Sequence, residues 1–381
     1  MARPRVCPDI TSEICLCDIS SALATPTHGP VAARTTPEAA VLRATHHGTP
    51  NAAIAGARPE YSRLQSKQYL TLHTVDNAHP KASDVFAVAP TPTQLLSASG
   101  SSSINIYDTT QPDFPLVQTL DKAHPLGIHH LVTAKESSAR RAASAGFEGS
   151  VKIWSQGEDG QWVLDGEIKD QNKPGSIWAI ALSADGQYLA SSSINGQINV
   201  WSLDAAQNFP RIREYETKGS FGLCVALSDN GSFTASGHEN GSIYVFSNDT
   251  GRLVHSLAGL VHPVRSVAFS PASTRLAAGG DARVIALYDV KSGEQVANLT
   301  GHGGWVLSLD WSDTGEYLLS GSHDSKAKVW RVETRTCVAT HSHGDKPLWT
   351  ARWLPKAPTK SEMFALGGGN NSISFYREAA G

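Results

Sequence analysis

From Lys67 onward the chain alternates apolar and polar residues in short runs. Seven of these runs are closed by an aromatic residue: Tyr107, Trp154, Trp201, Phe246, Tyr288, Trp330 and Tyr376. The positions three and one before each closing ring are apolar every time, as in Val151 and Ile153 before Trp154 or Ile373 and Phe375 before Tyr376, with a mostly polar residue between them. A period of two predicts a strand with one face buried. Asp185-Gly186, Asn195-Gly196, Asn230-Gly231 and Asn240-Gly241 punctuate the runs, and such pairs favour the positive φ angles of tight hairpins. The repeating unit is therefore strand, turn, strand.

The closing aromatics are spaced by 47, 47, 45, 42, 42 and 46 residues. A period of this size, with Gly-His some thirty residues before the aromatic, is the pattern of four-stranded propeller blades. Gly301-His302 is the clearest such pair; Ala78-His79, Ala123-His124, Val261-His262 and Ser342-His343 are degraded forms, and blades three and four have lost it. The expected fold is all-β: a seven-bladed WD40 β-propeller over residues 67–381. After Tyr376 only Arg377 to Gly381 remain, too few for the outermost strand of blade seven, whereas Gln68 to His73 reads as a strand ahead of blade one. An N-terminal strand is thus expected to close the ring and cover an otherwise open edge.

Residues 1–66 are rich in Ala, Thr, Pro and Arg, hold no Lys and show no periodicity, so they are expected to be a disordered extension. Charged residues make up 18 % of the chain, the net charge is −3 and the pI is about 6.6. No basic stripe appears in the blades, which argues against direct nucleic-acid binding. No apolar run is long enough for a membrane helix. The five cysteines, with no secretory signal ahead of them, read as reduced thiols of a cytosolic or nuclear protein. No metal set follows Cys15 and Cys17, and neither metal nor cofactor is expected.

The sixth repeat preserves a whole pattern: His302, Ser308, Asp324 and Trp330. The pattern resembles that of WD repeats, and the resemblance implies that these four form a buried hydrogen-bonded chain that ties the blade together. A Ser, a His and an Asp also invite a hydrolase reading. The surrounding sequence has no nucleophile elbow or oxyanion motif, no Walker loop and no zinc-binding His pair, so no enzyme is expected.

Partners are expected on the face where the second strand of each repeat begins. Aligning the repeats on Ser308 puts Asp84/Phe86, Gly127/His129, Ser176/Trp178, Phe221/Leu223, Pro263/Arg265, Trp305/Leu307 and Pro347/Trp349 at the strand entrances. Gly100, Phe147, Ile194, Glu239, Asp281, His323 and Gly369 fall at a third set of positions toward the central opening. The expected partner-binding residues are Phe86, Phe147, Trp178, Phe221, Leu223, Arg265, Trp305, Leu307 and Trp349, because large rings beside Arg are typical of binding hot spots. The bland alternative is that half of the rings pack inward between blades. Trp305, Phe221 and Trp178 beside Glu239 could also make a cage for a methylated lysine.

The run Ser66 to His79, Asp84-Val-Phe-Ala-Val, Leu95 to Gly100, Gly279 to Asp289 and Gly301 to Trp330 carry a resemblance to a known family. Over residues 67–381 the chain resembles the fungal WD-repeat subunit of the superkiller (Ski) complex, and the same family is similar to a factor needed for meiotic double-strand break formation. The resemblance implies a non-catalytic scaffold whose partners are helicase and tetratricopeptide-repeat subunits serving exosome-linked 3'-to-5' mRNA decay, with a meiotic double-strand-break protein as a further partner. The expected location is cytoplasmic, with the nucleus as a second compartment. Other WD adaptors, such as a histone-peptide reader or a ubiquitin-ligase substrate receptor, stand as the alternative. Residues 1–66 lie outside the family pattern.

Overall fold

The alternating runs become strands, and the strands group into seven antiparallel sheets of four. The computed structural model describes residues 66–82, 84–136, 138–169, 176–356 and 361–379. Apart from Ser66, the expected disordered extension lies outside these residues. Six blades are formed in sequence order, over residues 85–120, 128–168, 177–215, 222–257, 264–300 and 306–342. The seventh is composite: Leu348–Leu354, Met363–Gly368 and Ile373–Glu378 are joined by Tyr69–Val75 from the other end of the chain. The first strand of each blade packs beside that of the next, and Leu348–Leu354 packs beside Val85–Pro90 to complete the ring.

The closing clasp carries more than ladder bonds. Lys67 Nζ lies 2.6 Å from Glu362 Oε2 and 3.0 Å from Glu378 Oε1, and 3.9 Å from the centre of the Tyr317 ring in blade six. The Tyr69 hydroxyl donates to Glu362 at 3.1 Å, while its ring packs against Trp353 and Phe364. The clasp strand thus adds apolar burial and paired charge to blade seven.

Between blades the core is built from the apolar faces read in the sequence. Ile285 and Leu287 of blade five pack with Trp311, Leu318 and Trp330 of blade six, all nearly excluded from water. Side chains of this size contribute about 1.5–3 kcal/mol each when fully buried. The hairpins follow the turn chemistry: Gly186 takes φ +68°, a conformation open to glycine at little cost.

A seven-fold regularity appears at the start of the first strands. In every blade the pairing register slips between the first paired residue and the next, at Val85/Ala87, Ile128/His130, Ile177/Ile180, Gly222/Cys224, Val264/Ser266, Val306/Ser308 and Leu348/Thr350. The residues within these irregularities include Phe86, His129, Trp178, Leu223, Arg265, Leu307 and Trp349. A bulge unpairs a residue and re-aims its side chain. Those seven positions are the second member of each strand-entrance pair.

Candidate protein-interaction face

The bulged residues are half-buried except for His129, which is buried. On one arc of the ring they meet in a continuous row. Trp349 lies against Phe86 with ring centres 5.7 Å apart, Phe86 against Phe147 at 5.9 Å, Phe147 against Trp178 at 6.4 Å, and Trp178 against Phe221 at 5.3 Å, all edge to face. His129 stacks on Trp178 at 4.4 Å and touches Phe147 at 4.8 Å. The row therefore crosses blades seven, one, two, three and four. Its rings neither sink wholly into the core nor stand free, so the reading that half of them pack inward is met only in that each ring is partly covered.

Contacts along the row follow a simple rule. The entrance residue of one blade meets the bulged residue of the blade before it: Phe221 meets Trp178, Trp305 meets Arg265, and Asp84 Oδ2 accepts the Trp349 indole N–H at 2.7 Å. In blades two, six and five the third-position residue covers an entrance or bulged residue of its own blade. Phe147 covers His129, His323 lies 5.2 Å from Trp305, and Asp281 holds the Arg265 guanidinium by its Nε and, at 3.0 Å, its Nη2. Arg265 is thus paired and stacked 4.9 Å over Trp305, forming a second group on blades five and six.

The alternative cage of Trp305, Trp178 and Phe221 is not assembled. Trp178 and Phe221 are neighbours, whereas Trp305 turns to Arg265 and His323, and among the described residues no ring contact joins it to the other two. Leu223 and Leu307 stand at bulges, half-buried, as placed by the alignment.

His129 and His130 anchor the middle of the row. Gly146 O can only accept, so His129 Nε2 carries a proton at 3.2 Å from it; in the neutral ring Nδ1 then accepts from His130 Nδ1, 2.7 Å away. Burial keeps His129 well below the usual histidine range, and the neighbouring His130 adds to the effect. Burial, together with the Arg352 charge, lowers His130 to about 4.

The blade-six chain needs one correction. His302 Nδ1 lies 3.1 Å from Asp324 Oδ2, but its Nε2 is 2.7 Å from Ser320 Oγ, which also accepts the Trp330 indole N–H at 2.8 Å. Ser308 is not part of it. Its hydroxyl sits on the first strand and bridges to blade seven, donating to Ala351 O and accepting from Ala351 N–H, both at 3.1 Å. The Asp324 carboxylate places the proton on Nδ1, so Ser320 donates to Nε2 and the chain runs Trp330, Ser320, His302, Asp324. This resembles a triad in outline, yet Ser320 is fully buried and its oxygen holds an indole, which leaves no nucleophile facing solvent.

Related chains appear where the sequence showed only remnants. In blade two His124 joins Ser144, Trp154 and Glu148, the last replacing Asp. In blade four His238, at the end of the second strand, bonds Ser236 at 2.9 Å and Ser220 O at 2.9 Å. Val261-His262 is not a blade-five counterpart: His262 is exposed, and Leu260 packs against the core instead.

Two exposed residues of this face escaped the alignment. Leu126 is 56 % exposed and Val261 82 %, joining Ile194 at 50 %. Leu126 and Val261 lie in loops between blades, outside the strand positions that alternation can reveal. At the opposite ends of the first strands, the channel widens into a cavity of about 330 Å³ lined by all seven blades, with Arg352 and Asp310 3.8 Å apart in its wall. None of the expected partner-binding residues line it.

The model of the WD domain, G-beta repeat, matches residues 166–202, 251–289 and 293–331. Meiotic recombination protein rec14 of Schizosaccharomyces pombe is 37 % identical over 318 residues, 82 % of this chain and 99 % of the relative. Antiviral protein SKI8 of Saccharomyces cerevisiae is 32 % identical over 102 residues, 23 % of this chain and 26 % of that protein. Ribosome biogenesis protein YTM1 of Chaetomium thermophilum is 27 % identical over 293 residues, 65 % of this chain and 57 % of that protein. The chain is a WD-repeat protein with a protein-interaction role, and it belongs to the WD40-repeat family in the group that includes rec14 and SKI8.

Proposed function

We propose that this chain is the non-catalytic WD-repeat scaffold of a Ski-type complex, joining helicase and tetratricopeptide-repeat subunits in exosome-linked 3'-to-5' mRNA decay. The similarity to rec14 over nearly that relative's whole length supports a second role through a meiotic double-strand-break protein. The observation that carries the reading is the unbroken row from Trp349 to Phe221, set on one face by repeated bulges. A row of half-exposed rings gives a partner segment large rigid contact area at small entropic cost. The buried Ser320 favours binding over catalysis, and the separation of Trp305 from Trp178 and Phe221 gives no support to a methyl-lysine reader.

Affinity purification of the tagged full chain, with mass spectrometry of what it retains, tests the proposal. Tetratricopeptide-repeat and helicase subunits should be recovered with the wild type and lost with Phe221→Ala. Recovery of cullin-type ligase subunits or histones in their place would overturn it.

A further inference from the structure

Resting on the reading of this face as the partner site, we propose that Phe86 floors a vacant slot that receives one bulky apolar side chain of the partner segment. The molecule's own regularity shows the vacancy. In blades two, five and six an entrance or bulged residue is covered from its own blade by the third-position side chain, as Phe147 covers His129 and Asp281 holds Arg265; blade seven has Gly369 there, but its Trp349 is held by Asp84. In blades three, five and seven the bulged residue meets the next blade's entrance residue, as Phe221 covers Trp178. Phe86 lacks both covers, because its third-position residue is Gly100 and the next entrance residue is Gly127.

The two glycines differ in what they permit. Gly127 has φ +93°, and a Cβ there would stand 2.5 Å from Gly100 O, so the backbone packing itself forbids a side chain. Gly100 is exposed and under no such constraint. A Cβ at 100 would lie 3.6 Å from Phe86 Cε2, an ordinary contact, with no other atom within 4 Å. The space over the Phe86 edge is open, and position 100 can be filled without disturbing the fold. Phe147 and Trp349 stand on either side of Phe86, continuous with the row already assigned to the partner, and the exposed Leu126 precedes Gly127. The slot is thus apolar, so it selects an uncharged side chain of leucine or phenylalanine size.

Selection of a random dodecapeptide library on the full chain tests the slot. Peptides carrying a bulky apolar residue at one fixed position should be enriched. Gly100→Leu, which plants a side chain over Phe86, should weaken the selected peptides by roughly thirtyfold or more, whereas Gly100→Ala should change binding by less than about threefold. Should Gly100→Leu melt below wild type, Leu126→Ala at the exposed flank serves instead, with a loss of about fivefold expected. Peptides that tolerate both Gly100→Leu and Leu126→Ala but are lost with Phe221→Ala would overturn the slot while leaving the face intact. Peptides indifferent to all three, or no enrichment, would overturn both.

Discussion

Ser320 and Ser308 show how far single residues could be read. Both are buried serines on neighbouring strands of blade six, and the repeat pattern alone could not say which hydroxyl faces Trp330. Register decides it: on the second strand Leu318 pairs with Trp330 and Ser320 with Lys328, bringing Ser320 Oγ beside the indole, while Ser308 faces blade seven. Ser320→Ala should leave the Trp330 indole and His302 Nε2 unpaired at about 1–3 kcal/mol each. The indole N–H resonance should shift in that variant and stay put in Ser308→Ala. Asp324→Ala should cost a similar amount, since Asp324 also accepts from Gly303 N–H at 2.7 Å and Lys326 N–H at 3.0 Å. An unchanged melting temperature would mean the chain does not hold blade six. Burial alone would raise the Asp324 carboxyl, but the Gly303 amide and His302 outweigh it and hold the group below its ordinary value. That contribution is present above the unfolded carboxylate pKa and is lost as pH falls through the lower folded one.

At the scale of elements, alternation, closing aromatics and turn dipeptides made the strands legible, and the missing final strand of blade seven pointed to Tyr69–Val75. Side-chain position on the first strands was legible because each blade repeats one bulge, so a single alignment located all seven re-aimed residues. His238 was missed because its ring comes from the second strand instead of the connecting loop, and Leu126 because loops carry no period. The clasp yields a deletion test. A chain beginning at Ser66 keeps Lys67, Tyr69 and the whole clasp strand, and should form the closed ring with a single cooperative melt. A chain beginning at Asp76 exposes the edge of Ile373–Glu378 and leaves Glu362 without its Lys67 and Tyr69 partners. It should aggregate, or melt at least about 10 °C lower. Equal melting of the two would remove the clasp from the stability of the ring.

For the whole molecule, buried histidines set the response to acid. Burial lowers His79 to about 4, and burial with the Arg352 charge lowers His130 to about 4; His238, His302, His341 and His343 are also lowered, chiefly by burial. A histidine held neutral contributes stability that is present above the unfolded value of about 6.5 and is lost as pH falls toward the folded one. Between pH 7.5 and 5, His79 and His130 should each forfeit on the order of 2 kcal/mol. Melting temperature should therefore fall across that window, and a flat profile would show that these rings are not buried neutral. In the proposed scaffold the ring of blades holds one face toward the partner. Calorimetric titration of the purified tetratricopeptide-repeat subunit into the full chain and into Trp178→Ala tests this most directly. With matched melting curves, Trp178→Ala should bind at least about 2 kcal/mol more weakly, roughly thirtyfold; equal affinity of the two chains would contradict the aromatic row as the partner site.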